Sequence, residues 1–221
     1  MKTLIQSASR RKFVRTATAL AVGTAGFSSL TPAAKANGIA TRNGLFVIGP
    51  IEGYAPQIGT LVSMLNYNRS TIVDMVKTMT MQELDYLHDS KANTIGALLM
   101  HLGATDKYYQ INTFEGRQMY NEIEEKVWGA AMHLGDEGRE AIKGHEVKYY
   151  LDLIGEVRQK TLEELKKKDD AWLLALDPVW SKKEPLNTYW KWFHVCEHES
   201  NHRGQIAWLM SRLPGAKAVK E

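Results

Sequence analysis

From Ile58 to Leu213 the apolar residues recur every three to four positions, and nowhere do they alternate long enough to demand a sheet. The architecture this permits is helix packed on helix. Ile58, Leu61, Val62, Leu65, Ile72, Met75 and Val76 make the stripe of a first helix ending near Lys77. Thr80-Met81-Gln82-Glu83 has the capping-box pattern of a short helical turn. Thr94 can cap a second helix from Ile95 to about Ile111, on which Leu98, His101, Leu102, Thr105 and Tyr108 share a face. Tyr150, Leu153, Ile154, Val157, Thr161 and Leu165 predict a third, closed by Lys166, Lys167 and Lys168, whose charge suits a helix C-terminus. After a loop holding Pro178 and Pro185, a last helix spans Asn187 to Leu213 and is stopped by Pro214-Gly215. Residues 117–143 add a peripheral helix followed by a glycine-rich joint at Gly135, Gly138 and Gly144. The expected fold is all-α: a four-helix bundle over 56–214 with a helical insertion between the second and third main helices. The long connections leave both an up-down order and a crossover open.

The ends read differently. Ser9-Arg10-Arg11-Lys12-Phe13-Val14 fits the twin-arginine pattern, Ala17 to Leu30 is weakly apolar, and Ala34-Lys35-Ala36 fits a cleavage site, so residues 1–36 are expected to be a signal peptide engaging the twin-arginine export machinery. The expected location is the periplasm, or outside the cytoplasm by that route. The apolar run is shorter than the roughly 20 residues of a spanning helix, so no stable membrane span is expected. Residues 37–55, punctuated by Gly and Pro, predict an extended lead-in, and 215–221 a tail. Six of the 28 Lys and Arg and none of the 25 acids lie in residues 1–36, so the remainder carries a net of −3. A mildly acidic domain with no basic stripe is a poor holder of phosphate backbones, which argues against nucleic acid as a partner. The single Cys196 excludes an internal disulfide and is expected on the side of its helix away from His198.

The chemistry gathers on the last helix. Lys191, His194, His198, His202 and Gln205 fall on one polar stripe, and His101 faces inward from the second helix. Imidazoles four residues apart on a helix can share one metal ion, and a third from another helix leaves a coordination position for water or substrate. The inference is a divalent transition metal site, with zinc or nickel favoured by the nitrogen donors. Spacing alone permits either His194 with His198 or His198 with His202.

The stretch from His194 to Ile206, with His198-x-x-x-His202 ahead of Gly204-Gln205-Ile206, resembles the last helix of the DinB-like superfamily. Asn93-Thr-Ile-Gly-Ala-Leu-Leu-Met-His101 is similar to that family's second helix. The resemblance covers roughly residues 55–214 and implies a four-helix bundle with His101, His198 and His202 as metal ligands and His194 as a neighbour that orients a ligand or shuttles protons. It implies a small-molecule substrate and an activity of the thiol-transferase or hydrolase kind, since families of this type include transferases and isomerases working with bacillithiol or mycothiol. Related bundles often pair as homodimers.

Three further expectations compete or complete the picture. His198-Glu199-x-x-His202 satisfies the zincin motif, which would make Glu199 a general base, but no acidic ligand or further His follows before the chain-terminal Glu221. Glu199 is otherwise expected beside the site or at the surface. A non-catalytic bundle holding a metal or ligand is the alternative to an enzyme. Tyr108 and Trp190 are candidates for a pocket above the metal, against core packing; Lys191 is a candidate partner for an anionic substrate, against simple exposure; Gln205, from the polar stripe, is a further pocket candidate.

Overall fold

The computed structural model describes residues 44–182 and 184–216. The expected leader and most of the tail lie outside them. Eight helices follow in order: α1 (Pro56–Val76), α2 (Met81–Leu84), α3 (Ile95–Thr113), α4 (Glu122–His133), α5 (Gly135–Ala141), α6 (Val147–Leu165), α7 (Asp170–Leu174) and α8 (Thr188–Met210). No strand occurs among the described residues, only an isolated bridge between Leu176 and Asn187. Several starts were legible because they carry side-chain caps, although α1 and α6 begin without one. Thr80 and Glu83 form the expected capping box, Thr94 accepts from the Ala97 amide and Asn187 from the Trp190 amide. Three elements were not expected: α5, which is helical where a glycine-rich joint was read, and α7, capped by Asp169, with a 3-10 turn at Trp180–Lys182, both inside what the sequence read as a proline-bearing loop. No described helix is long and apolar enough to cross a membrane.

α1, α3, α6 and α8 form the bundle, and contacts between them fix its directions. Arg69 meets Glu199 and Thr71 meets Arg203, so α1 and α8 run parallel. Gly96 lies against Tyr150 and Gln110 against Thr161, so α3 and α6 also run parallel. Arg158 bonds the Leu65 carbonyl and Arg69 that of Ile154, which sets α1 antiparallel to α6. The order is therefore a crossover, not up-down.

A parallel α3 and α6 require the chain to travel back along α3 before α6 can begin, a distance of about 28 Å for a helix of 19 residues. The insertion is that return. Tyr120 bonds the Ala104 carbonyl, Trp128 packs on Gly103, and the Gly135 amide bonds Asn93, so α4 runs down the flank of α3. It turns into α5 at Leu134, which adopts a left-handed φ of 56° ahead of Gly135 at 63°. The segment expected to be peripheral is packed on the central helix.

Two apolar clusters fill the interior. One gathers Ile72, Val76, Leu98, Leu102, Tyr150 and Ile206; the other gathers Ile58, Leu61, Leu65, Leu165, Trp192 and Val195. Between them along the helices lies a polar layer with one charged residue from each: Arg69, Asp106, Arg158 and Glu199. Asp106 is fully buried and Glu199 is 1% exposed. Arg158 donates to Asp106 at 2.7 Å and to Glu199 at 2.7 Å, and Arg69 donates to Glu199 and to the Ile154 carbonyl. Thr161 donates to the other Asp106 oxygen at 2.6 Å. Burial works against the charge on Arg158, yet Asp106 and Glu199 outweigh it and its pKa is raised.

Candidate metal centre

His101, His198 and His202 converge where α3 and α8 face each other, and their ligand atoms all lie within 4.8 Å of one another. The Nε2 of His198 is 3.0 Å from that of His101 and 3.1 Å from that of His202. His101 is 9% and His202 8% exposed. Helix geometry on α8 sets one edge of this triangle, since residues four apart share a face. The other edge depends on α3 packing against α8.

The outward nitrogens determine what the inward ones can do. His101 Nδ1 lies 2.8 Å from the Ala131 carbonyl, which can only accept, so Nδ1 carries the proton and Nε2 is left with its lone pair. His202 Nδ1 is 3.2 Å from Gln205 Oε1, whose amide is oriented by Gln205 Nε2 donating to Asn201 at 2.7 Å, and the same tautomer follows. Two lone pairs thus point at a third ring nitrogen from about 3 Å. A proton on His198 Nε2 answers one of them; a cation answers all three.

The residues fit such an ion. Three nitrogens at one face of a tetrahedron, each roughly 2.0–2.1 Å from zinc, have edges of about 3.3 Å; the two edges that meet at His198 are close to this, and all three atoms lie within 4.8 Å of one another. Imidazoles held by a carbonyl or an amide through the far nitrogen are how proteins orient metal-binding histidines. The site is also neutral. Burial, then His202, His101 and His194, pushes His198 down to about 3. Burial and His101 push His202 down to about 4 against the Gln205 bond, and burial lowers His101 against the Ala131 bond. Near pH 7 the three rings are uncharged, so a cation meets no repulsion from them.

His194 stands one turn before His198, with ring centroids 5.6 Å apart, and is not one of the converging three. Its Nδ1 lies 3.0 Å from the hydroxyl of Tyr109, and its ring stacks on Trp190 at an interplanar angle of 11°. Burial, followed by Tyr108 and Glu197, pushes Tyr109 up to about 12, so the phenol keeps its proton and donates it to Nδ1. With Nδ1 accepting from the phenol, Nε2 is the ring's donor.

Several sequence expectations need correction. Glu199 is neither a base at the metal nor a surface group: its carboxylate neutralises Arg69 and Arg158 in the buried layer. That removes the zincin reading, because the required acid is engaged as part of the core. Lys191 is neither exposed nor open to substrate. It is fully buried, bonded to Asn112 and Asp177, with its ammonium 4.3 Å from the centre of the Trp180 ring. Tyr108 donates to the Gln118 carbonyl and packs with Tyr109, Tyr120 and Trp180. Trp190 is 43% exposed and serves as the platform of His194. Gln205 does reach the site, as the support of His202. Cys196 points away as expected, towards Asn68 of α1. The sequence reading missed Tyr109, next to the Tyr108 it chose, and the Ala131 carbonyl. The first was open to the same helical spacing; the second is a backbone atom without any side-chain signature.

Among curated proteins no match to the chain was found. A family model described as mycothiol S-transferase matches residues 60–215, a span that holds all three converging histidines and every helix of the bundle. That match takes in more than two-thirds of the sequence, and the chain belongs to the mycothiol S-transferase family, a DinB-like family.

Proposed function

We propose that this protein is a metal-dependent transferase that joins a low-molecular-weight thiol to an electrophile. The observation that carries the reading is the triangle of Nε2 atoms at 3.0 and 3.1 Å, two of them stripped of protons by Ala131 and Gln205. His101, His198 and His202 would hold the ion, zinc or nickel by donor type, and leave a position open on it. A divalent ion in such a site lowers the pKa of a bound thiol or water and polarises a carbonyl. The protein's own residues supply orientation. Ala131 and Gln205 fix two rings, and His194, held by Tyr109 and Trp190, presents a fixed N–H donor one turn from His198 to an oxygen of the incoming substrate.

The family match and the donor set support this reading. The test is to load the purified domain with zinc or nickel and supply mycothiol, bacillithiol or cysteine with a slow-reacting halobimane. Thiol adduct should form faster with the metal-loaded protein than with its His101→Ala variant. Equal rates would leave a metal-binding bundle without transferase chemistry.

Hydrolysis is the second reading, and the leader favours it. Arg10-Arg11 and the following apolar run support export through the twin-arginine route, away from the cytoplasmic thiol pool. Ester turnover by the same loaded protein, lost in His101→Ala, would support it. Export itself is tested by fractionating cells that express the full chain and an Arg10→Lys, Arg11→Lys variant: the first should yield a product starting at Asn37 outside the cytoplasm, the second should stay inside.

A further inference from the structure

Beside the triangle, on the side of Gln205, lies a cavity of about 480 Å³ lined by Leu98, Asn201, Gly204, Gln205, Trp208 and Leu209, with Ala92 and Asn93 completing it. None of these residues is charged. The three histidines are not part of its lining, and two links join it to the metal centre: Leu98 is one turn from His101 on α3, and Gln205, in the cavity wall, bonds His202. Trp208 is 45% exposed and held in place by His88, edge-on at 5.0 Å, and by Arg212, whose guanidinium lies 3.8 Å from its ring centre.

Gly204 adds an independent observation. Glycine inside a helix costs about 1 kcal/mol relative to alanine. Gly96 and Gly103 have a packing reason, because a Cβ there would meet Tyr150 at 2.8 Å or Trp128 at 3.0 Å. A Cβ on Gly204 would meet nothing within 4 Å. Gly155 on α6 is equally open, so the glycine alone does not mark a site. What distinguishes Gly204 is its place in the wall between Gln205 and Trp208, where the missing side chain is cavity volume.

We infer that this cavity seats the second substrate of the reaction, an uncharged electrophile whose apolar body lies along Trp208, Leu98 and Leu209 and whose carbonyl or amide end meets the amides of Asn201 and Gln205. The inference rests on the transferase reading for what the molecule does and on the cavity alone for what it is. An apolar wall without charge discriminates against anions and cations, which would lose hydration and gain no partner. The amide pair also ties the occupant to the metal: Asn201 holds Gln205, and Gln205 holds His202.

The experiment uses metal-loaded protein and N-phenyl-1-naphthylamine, an uncharged apolar fluorophore. It should bind the natural protein and bind Gly204→Leu at least about tenfold more weakly, while Gly204→Leu keeps its metal content and its fold, since leucine is the better helix former. Trp208→Ala should weaken the probe as well. In thiol transfer, Gly204→Leu should raise KM for the halobimane and leave KM for the thiol unchanged. Equal probe binding by Gly204→Leu and the natural protein, or a raised thiol KM with an unchanged acceptor KM, overturns the assignment. Probe binding that is lost in Gly204→Leu while no thiol is transferred to any acceptor supports the cavity and counts against the transferase reading instead.

Discussion

Two polar clusters sit inside this bundle, and they are built on opposite principles. The layer of Arg69, Asp106, Arg158 and Glu199 closes on itself: two cations meet two anions, and Thr161 with the Leu65 and Ile154 carbonyls takes up further hydrogen bonds. The three imidazoles do not close. The outer nitrogens of His101 and His202 are tied to Ala131 and Gln205, so that two lone pairs face His198, whose own Nδ1 has no partner. The first arrangement balances its charges within the protein and ties four helices together, with Glu199 Oε2 alone left without a partner; in the second, only a cation answers all the lone pairs together. Burial and polarity alone therefore do not mark a functional site. What marks it is a set of uncharged ligand nitrogens from two helices brought within 4.8 Å of one another.

The comparison can be broken by removing a member of each cluster. Arg158→Met leaves Asp106 and Glu199 short of a cation in the core and should cost about 3–5 kcal/mol in urea unfolding, with metal affinity of the folded fraction unchanged. His101→Ala should do the reverse: metal affinity, measured by competition with a chelator, should fall by at least about 100-fold, while the metal-free domain loses far less stability than Arg158→Met does. A metal-free His101→Ala domain as unstable as Arg158→Met would show that the triangle, too, is structural.

The pH response sharpens the same contrast. His198 and His202 titrate in the fold near 3 and 4 against an ordinary value of 6.5. Between those values the unfolded chain binds more protons than the folded one, so the metal-free domain should hold its stability above about pH 6.5 and lose it as pH falls through 6.5 towards 3. Removing both rings should flatten this part of the urea-midpoint profile. The smallest effect belongs to the outer support: Gln205→Leu should weaken metal binding by about 10–100-fold through His202, with stability little changed, and Gln205→Glu should recover most of it by restoring an acceptor.

Much of the fold was legible because it is written in local patterns. The stripes of α1, α3, α6 and α8, the Thr80 and Thr94 caps and the Asn187 start are all short-range signals; the caps were read to the residue, while the last helix stops at Met210 short of the expected Leu213 and α6 starts at Val147 ahead of its stripe. The ionic layer was legible in part and went unread: Arg69 sits four residues after Leu65 and three before Ile72, and Asp106, Arg158 and Glu199 occupy matching places in their own stripes. A charge within an apolar repeat, one per helix and summing to zero, is a signal for such a layer. Lys191 was misjudged for a related reason, because its partner Asp177 lies in a segment with no helical repeat to place it.

Periodicity alone dictates four amphipathic helices and puts His194, His198 and His202 on one helical face, since both follow from 3.6 residues per turn; it does not choose between the two possible pairs. Only the tertiary structure decided that α3 brings His101 to that pair, that α4 returns along α3 so that the Ala131 carbonyl can fix its tautomer, and that Glu199 belongs to the core. These facts depend on which helices pack together and in which direction. Helix order around a bundle is set by long-range contacts and connection lengths, and no local periodicity encodes it.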